Sequence, residues 1–171
     1  IFFAEREKRL KLRVPTPFEQ TEYIGQTIFG REKLANDLQE CVSQYWQAVA
    51  GREKALVIVD AGVYGSNCKD GAAGISLLRS VGYGAGSMTW GPPYGDRMYH
   101  QRMEQGERRY RFLFLAGERG EVLGKADREA AMFNRRVYAQ QFCPSGKGTI
   151  PPALVQIDRE NVAMSCFKRS E

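Results

Sequence analysis

Arg31-Glu32-Lys33-Leu34-Ala35-Asn36-Asp37-Leu38-Gln39-Glu40-Cys41-Val42-Ser43-Gln44-Tyr45-Trp46-Gln47-Ala48-Val49-Ala50 is the clearest patterned stretch of the chain. Its apolar residues fall at Leu34, Leu38, Cys41, Val42, Tyr45, Trp46 and Val49. That is the i, i+4, i+7, i+8 series, continued for another two turns, of one face of a helix. The spacing predicts an amphipathic helix over 31–50, ended by Gly51, a residue that readily adopts the left-handed conformation of a helix terminus. Directly after it, Ala55-Leu56-Val57-Ile58-Val59 is an unbroken apolar run with three β-branched residues, which reads as a buried strand.

Outward from these two elements the pattern weakens. Ala72 to Val81 reads as a short helix. Residues 82–95 hold five Gly and two Pro in 14 positions, which no regular element tolerates. Tyr83, Trp90 and Tyr94 on that loop imply a surface to lie on. Arg97 to Arg109 reads as a basic helix and Tyr110 to Leu115 as a second strand. Glu118 to Glu121 then forms a turn, and Val122-Leu123 returns as a short hairpin strand. Asp127 caps a helix running to Phe142. A short strand at Ala153 to Ile157 and a last helix at Arg159 to Phe167 follow. On the other side, Val14-Pro15-Thr16-Pro17 breaks any helix, Phe2 to Arg13 reads as a polar helix or arm, and 18–29 as extended. The class expected is α+β or mainly helical, a small core with long irregular, extended arms. Residues 1–30 are an extended N-terminal arm, and 31–171 one small domain carrying the Gly/Tyr-rich loop.

The 171 residues carry a net charge of +5, from 17 Arg and 8 Lys against 20 acids. Arginine is favoured over lysine where planar, bidentate contacts form. Between Arg97 and Arg136, ten basic residues face six acidic ones, so +4 of the +5 is local. The candidate partner-binding residues are Arg97, Arg102, Arg108, Arg109 and Arg111, with Tyr83, Trp90 and Tyr94. An acidic protein surface would meet them, and so would nucleic acid. No apolar run approaches the ~20 residues of a transmembrane helix.

Catalytic motifs are weak. His100 is the one histidine, which excludes mechanisms needing two in a chain. Pro144-Ser145-Gly146-Lys147-Gly148-Thr149 lacks the first glycine and the hydroxyl after lysine of a phosphate-binding loop. Gly62 and Gly65 do not make a dinucleotide fingerprint. Asp60, at the end of the buried strand, is the one carboxylate placed as in many active sites. Cys41, Cys68, Cys143 and Cys166 form no C-x-x-C pair, so neither a zinc knuckle nor a redox pair is expected. Cys41 falls on the apolar stripe. Cys68, in a polar turn beside Lys69, is expected to be exposed.

The segment Gly65-Ser66-Asn67-Cys68-Lys69-Asp70-Gly71-Ala72-Ala73, with the basic charge and the Gly/Tyr/Arg-rich stretches, resembles linker polypeptides of phycobilisomes, and in particular the gamma subunits of phycoerythrin. The resemblance implies a rod linker that threads an acidic phycobiliprotein hexamer at the chloroplast thylakoid surface. It also implies a covalent bilin, of phycoerythrobilin or phycourobilin type, on Cys68, with Cys143 and Cys166 as further carriers. The function expected is therefore a non-enzymatic assembly or linker subunit of a larger complex. The alternatives are an RNA-binding accessory subunit and a small α+β enzyme with Asp60 or Cys68 in its site.

Overall fold

The computed structural model describes residues 1–5, 8–28, 30–80 and 104–135, and beyond these residues 139, 141, 146, 155–159, 162, 164, 167 and 168. The chain divides into two units, Ile1–Val137 and Tyr138–Glu171. In the second, the described residues form no helix or strand. All regular structure described lies in the first.

That unit is mainly β, which corrects the expected α+β or helical class. Its elements are β1 (Phe2–Phe3), β2 (Lys8–Pro15), β3 (Glu22–Thr27), β4 (Gly30–Leu34), β5 (Cys41–Val42), β6 (Trp46–Ala50), β7 (Lys54–Asp60), β8 (Gly65–Lys69), β9 (Ala72–Ser80), β10 (Gly106–Glu107), β11 (Phe112–Glu118) and α1 (Arg119–Asn134). A five-stranded sheet runs β11-β7-β6-β3-β4 and a four-stranded sheet β2-β9-β8-β5, while β1 pairs with β10. Every pairing is antiparallel.

The expected helix over 31–50 is replaced by β4, β5 and β6. Asn36-Asp37 interrupts it: Gln39 N–H donates to Asp37 Oδ1 at 3.0 Å, and Leu38 takes a positive φ of 75°. The helical spacing of the apolar residues is a coincidence of three short strands. Arg31, Glu32 and Lys33 make a charged edge strand of the kind that resists sheet-to-sheet pairing. Trp46–Ala50 is buried throughout because it lies in the middle of the middle layer. Trp46, Ala48 and Ala50 face α1 with Val57 and Val59, against Val122, Leu123, Ala126 and Ala130. On the opposite face Tyr23, Val49 and Ile58 meet Cys68, Ala73 and Ile75 of the second sheet, and Val63 of the β7–β8 connection. The small residues Ala48, Ala50, Ala55, Ala126 and Ala130 let the helix lie close on the strands.

Further expectations change, among them the basic helix over 97–109, whose described part, 104–109, holds β10 and no helix. Residues 72–81 read as a helix, but Ala72–Ser80 is the longest strand, β9. It is joined to β8 by the two-residue loop Asp70-Gly71, with φ of 50° and 72°, the paired positive values of a hairpin turn. The turn and strand expected at 118–123 are the last residue of β11 and the start of α1, and Asp127 sits inside the helix, where it accepts Trp46 Nε1–H at 2.8 Å. The proline-broken start does not form irregular arms: β2 pairs with β9 along its length and β3 lies inside the five-stranded sheet. The strand reading at 55–59 falls within β7, and that at 110–115 overlaps β11, which starts two residues later and runs three residues further.

Candidate functional site: the outer face of the four-stranded sheet

Lys8-Arg9-Leu10-Lys11-Leu12-Arg13-Val14 alternates basic and apolar residues, the period of a strand with one wet face. In β2, Leu12 and Val14 pack into the intersheet core. Arg9 and Lys11 point the other way, where both reach Glu40 Oε2, at 2.9 and 2.8 Å. Ser76 of β9 donates its hydroxyl to the other oxygen, Glu40 Oε1. Burial works against the Glu40 charge, but Lys11, Ser76 and Arg9 together outweigh it and hold the carboxyl below its ordinary pKa. A β-bulge at Leu10/Lys11 shifts the register so that Arg9 lies opposite Arg79.

The face deepens at one end into an open cleft of about 430 Å³, walled by Arg9, Glu40, Tyr64, Arg79, Arg108 and Tyr110. Glu104 also lines it, and its Oε2 accepts the Arg79 backbone N–H at 3.0 Å. Arg108 Nη1 reaches only a backbone carbonyl, that of Glu107, at 3.1 Å. Among the described residues neither Arg79 nor Arg108 has an acidic side chain as ion-pair partner. Burial raises the Tyr110 pKa, aided by Glu104 and opposed by Arg108, so it stays a neutral phenol. Tyr64 is exposed at the rim. Counting Lys11 with the cleft, four cations stand against Glu40 and Glu104.

The residues singled out from sequence scatter. Arg108 lines the cleft and Arg109 is exposed. Arg111 stacks on Phe133 of α1, 5.1 Å from the ring centre, and so belongs to the helix side. Tyr83, Trp90, Tyr94, Arg97, His100, Arg102, Cys143 and Cys166 lie outside the described residues. Cys68 is wholly buried, not exposed: the polar sequence around it is a hairpin strand whose alternate positions face the core. Burial pushes its thiol up to about 11, with Arg13 only partly opposing, so no thiolate is on offer at neutral pH. Asp60 is also wholly buried, between the sheets. Arg9, Lys11, Glu40, Arg79 and Tyr64 were missed. The period-two alternation of 8–14 is the signal that could have found three basic positions on one face.

Among the described residues no group of His, Cys, Asp and Glu is placed to hold a metal ion, and no helix is long and apolar enough to cross a membrane. No protein-family profile and no curated protein matches the chain. Solved structures do. A glycosyl hydrolase family 38 protein from Enterococcus faecalis superposes with a TM-score of 0.58 at 20% identity, over 71% of this chain and 14% of its own. An alpha-mannosidase from Enterococcus faecalis V583 gives 0.56 and 19%, over the same shares. The chain thus spans about a seventh of the length of these proteins. At such identity the likeness is one of fold. It overturns the resemblance to phycobilisome linkers, and with it the ground for a bilin on Cys68: this is a β-sandwich similar to one region of a family 38 alpha-mannosidase.

Proposed function

We propose that the chain is a non-catalytic interaction module, a β-sandwich that holds an acidic protein surface against the outer face of its four-stranded sheet. The observation that carries this is the placement of Arg9, Lys11, Arg79 and Arg108 on one face with two carboxylates among them. Complementary charge of this kind sets on-rate and partner choice more than raw affinity. The two groups that would have served an enzyme, Asp60 and Cys68, are sealed between the sheets. Similar folds that make up a seventh of longer chains support a role as a part of something larger.

Fluorescein-labelled octaglutamate is the simplest probe. Binding is expected at about 0.01 M salt and should weaken at least about tenfold at about 0.1 M, where the Debye length has shrunk from ~30 to ~10 Å. No binding at the lower salt would overturn the proposal. Tighter binding of an RNA oligomer of equal charge would overturn it in favour of a nucleic-acid partner.

A further inference from the structure

The cations of the cleft fall into two sets by their ion-pair partners among the described residues. For the first set, Arg9 and the neighbouring Lys11, the chain supplies the paired carboxylate. Glu40 takes hydrogen bonds from Arg9 Nη1 at 2.9 Å, Lys11 Nζ at 2.8 Å and the Ser76 hydroxyl. This shows what the outer face does with a carboxylate: it grips both oxygens with charged and neutral donors together. The second set, Arg79 and Arg108, lines the same cleft beside Tyr64, Tyr110 and Glu104, with no acidic side chain of the described residues paired to their guanidinium groups. Glu104 is turned to the Arg79 main chain.

We infer that the Arg79–Arg108 part of the cleft is a specificity pocket for one side-chain carboxylate of the acidic partner. This rests on the interaction-module reading above and deepens it from a charged face to a defined anchor. The incoming aspartate or glutamate takes the place beside Arg79 and Arg108 that Glu40 takes beside Arg9 and Lys11. Tyr64 and Tyr110 flank the apolar stem of that side chain and reduce its contact with water, which strengthens a guanidinium–carboxylate pair. A guanidinium suits the role better than an ammonium because its fork matches the two oxygens. The remaining basic face steers the partner and adds little selectivity.

The test uses the full chain, the octaglutamate probe and the double variant R79Q/R108Q. Both side chains are exposed, so the fold is retained, and circular dichroism checks this. R52Q, an exposed arginine in the β6–β7 turn away from the cleft, is the control. The double variant should bind at least about tenfold more weakly, which is about 1.4 kcal/mol, with R52Q unchanged. Equal loss in R52Q, or no loss in the double variant, would overturn the pocket and leave the charged-face reading standing. Failure of the unaltered chain to bind would remove both. Inorganic phosphate should displace the peptide no better than chloride at equal ionic strength. Phosphate that binds more tightly than the peptide, with the same dependence on Arg79 and Arg108, would overturn the carboxylate assignment.

Discussion

Replacing Trp46 by alanine is expected to cost the fold about 3–5 kcal/mol, the range for a fully buried tryptophan. Trp46 is 0% exposed and sits where the middle sheet meets α1. Its indole N–H donates to Asp127 Oδ1 at 2.8 Å, and Gln26 Nε2 donates to the same oxygen at 3.0 Å. One side chain therefore ties β6, β3 and α1 together. The helix has little else of its own: Glu118 at its N-cap makes no capping hydrogen bond, and no basic residue stands in its last turn. It is held by packing, by Arg119 Nη1 on the Gly51 carbonyl at 2.9 Å and by Asn134 Nδ2 on the Asp60 carbonyl at 2.9 Å. Removing the indole opens a cavity and leaves the packed face of α1 short of its largest contact. Urea unfolding followed by circular dichroism checks it. A loss below about 1 kcal/mol, the size of a surface change, would show that residues 46–50 are not the centre of the sandwich.

Asp60→Asn is expected to act in the opposite direction. Asp60 lies at the end of β7 with its side chain between the sheets and 0% exposed. Its Oδ1 accepts the Val63 backbone N–H at 2.9 Å, while its Oδ2 has no hydrogen-bond partner among the described residues. Burial raises its pKa from 3.8 to about 6, with the amides of Val63 and Gly62 and the Gln47 side chain pulling back. The folded state thus holds the proton more tightly than the unfolded one. That stabilisation is complete below about pH 3.8 and is lost as the pH rises through about 6. Above that range the ionised carboxylate costs about 3 kcal/mol, at 1.36 kcal/mol for each of roughly two pH units. Asparagine keeps the acceptor for Val63 and never ionises. The variant should therefore gain up to about 3 kcal/mol over the parent at pH 7.5 and nothing at pH 3.5. Urea midpoints across that range measure the difference, in which the exposed acids common to both chains cancel. Parallel pH profiles for the two chains would contradict a buried, strained carboxyl.

Legibility of the fold in the sequence followed how local each signal is. Ala55–Val59 and Phe112–Leu115 were readable because an unbroken β-branched or aromatic run has few other uses. Trp46–Ala50 was not, because a strand covered on both faces loses the alternation that marks a strand, and its neighbours happened to complete a helical series. Gly25 has no room for a side chain: an added Cβ would come within 2.5 Å of Leu34 Cδ1, on the paired strand β4, and 3.1 Å of Ser43 Cβ. The Asp70-Gly71 pair between two short runs is a hairpin signal in the sequence. Of the site, Arg108 lay in the basic stretch, and the alternating basic face of β2 was in plain view. Glu40 and Arg79 were not recoverable, since only the pairing of β2 with β9 and of β5 with β8 brings them beside Arg9.

The most direct measurement of the central claim is a titration of isotope-labelled full chain with octaglutamate, read as backbone and arginine side-chain NMR shifts. The largest changes should fall at Arg9 to Arg13, at Gly74 to Arg79 and at Arg108, with α1 and β7 unmoved. Changes concentrated on α1, or on the charged edge strand β4, would place the partner on the other side of the molecule and contradict the assignment of the outer face.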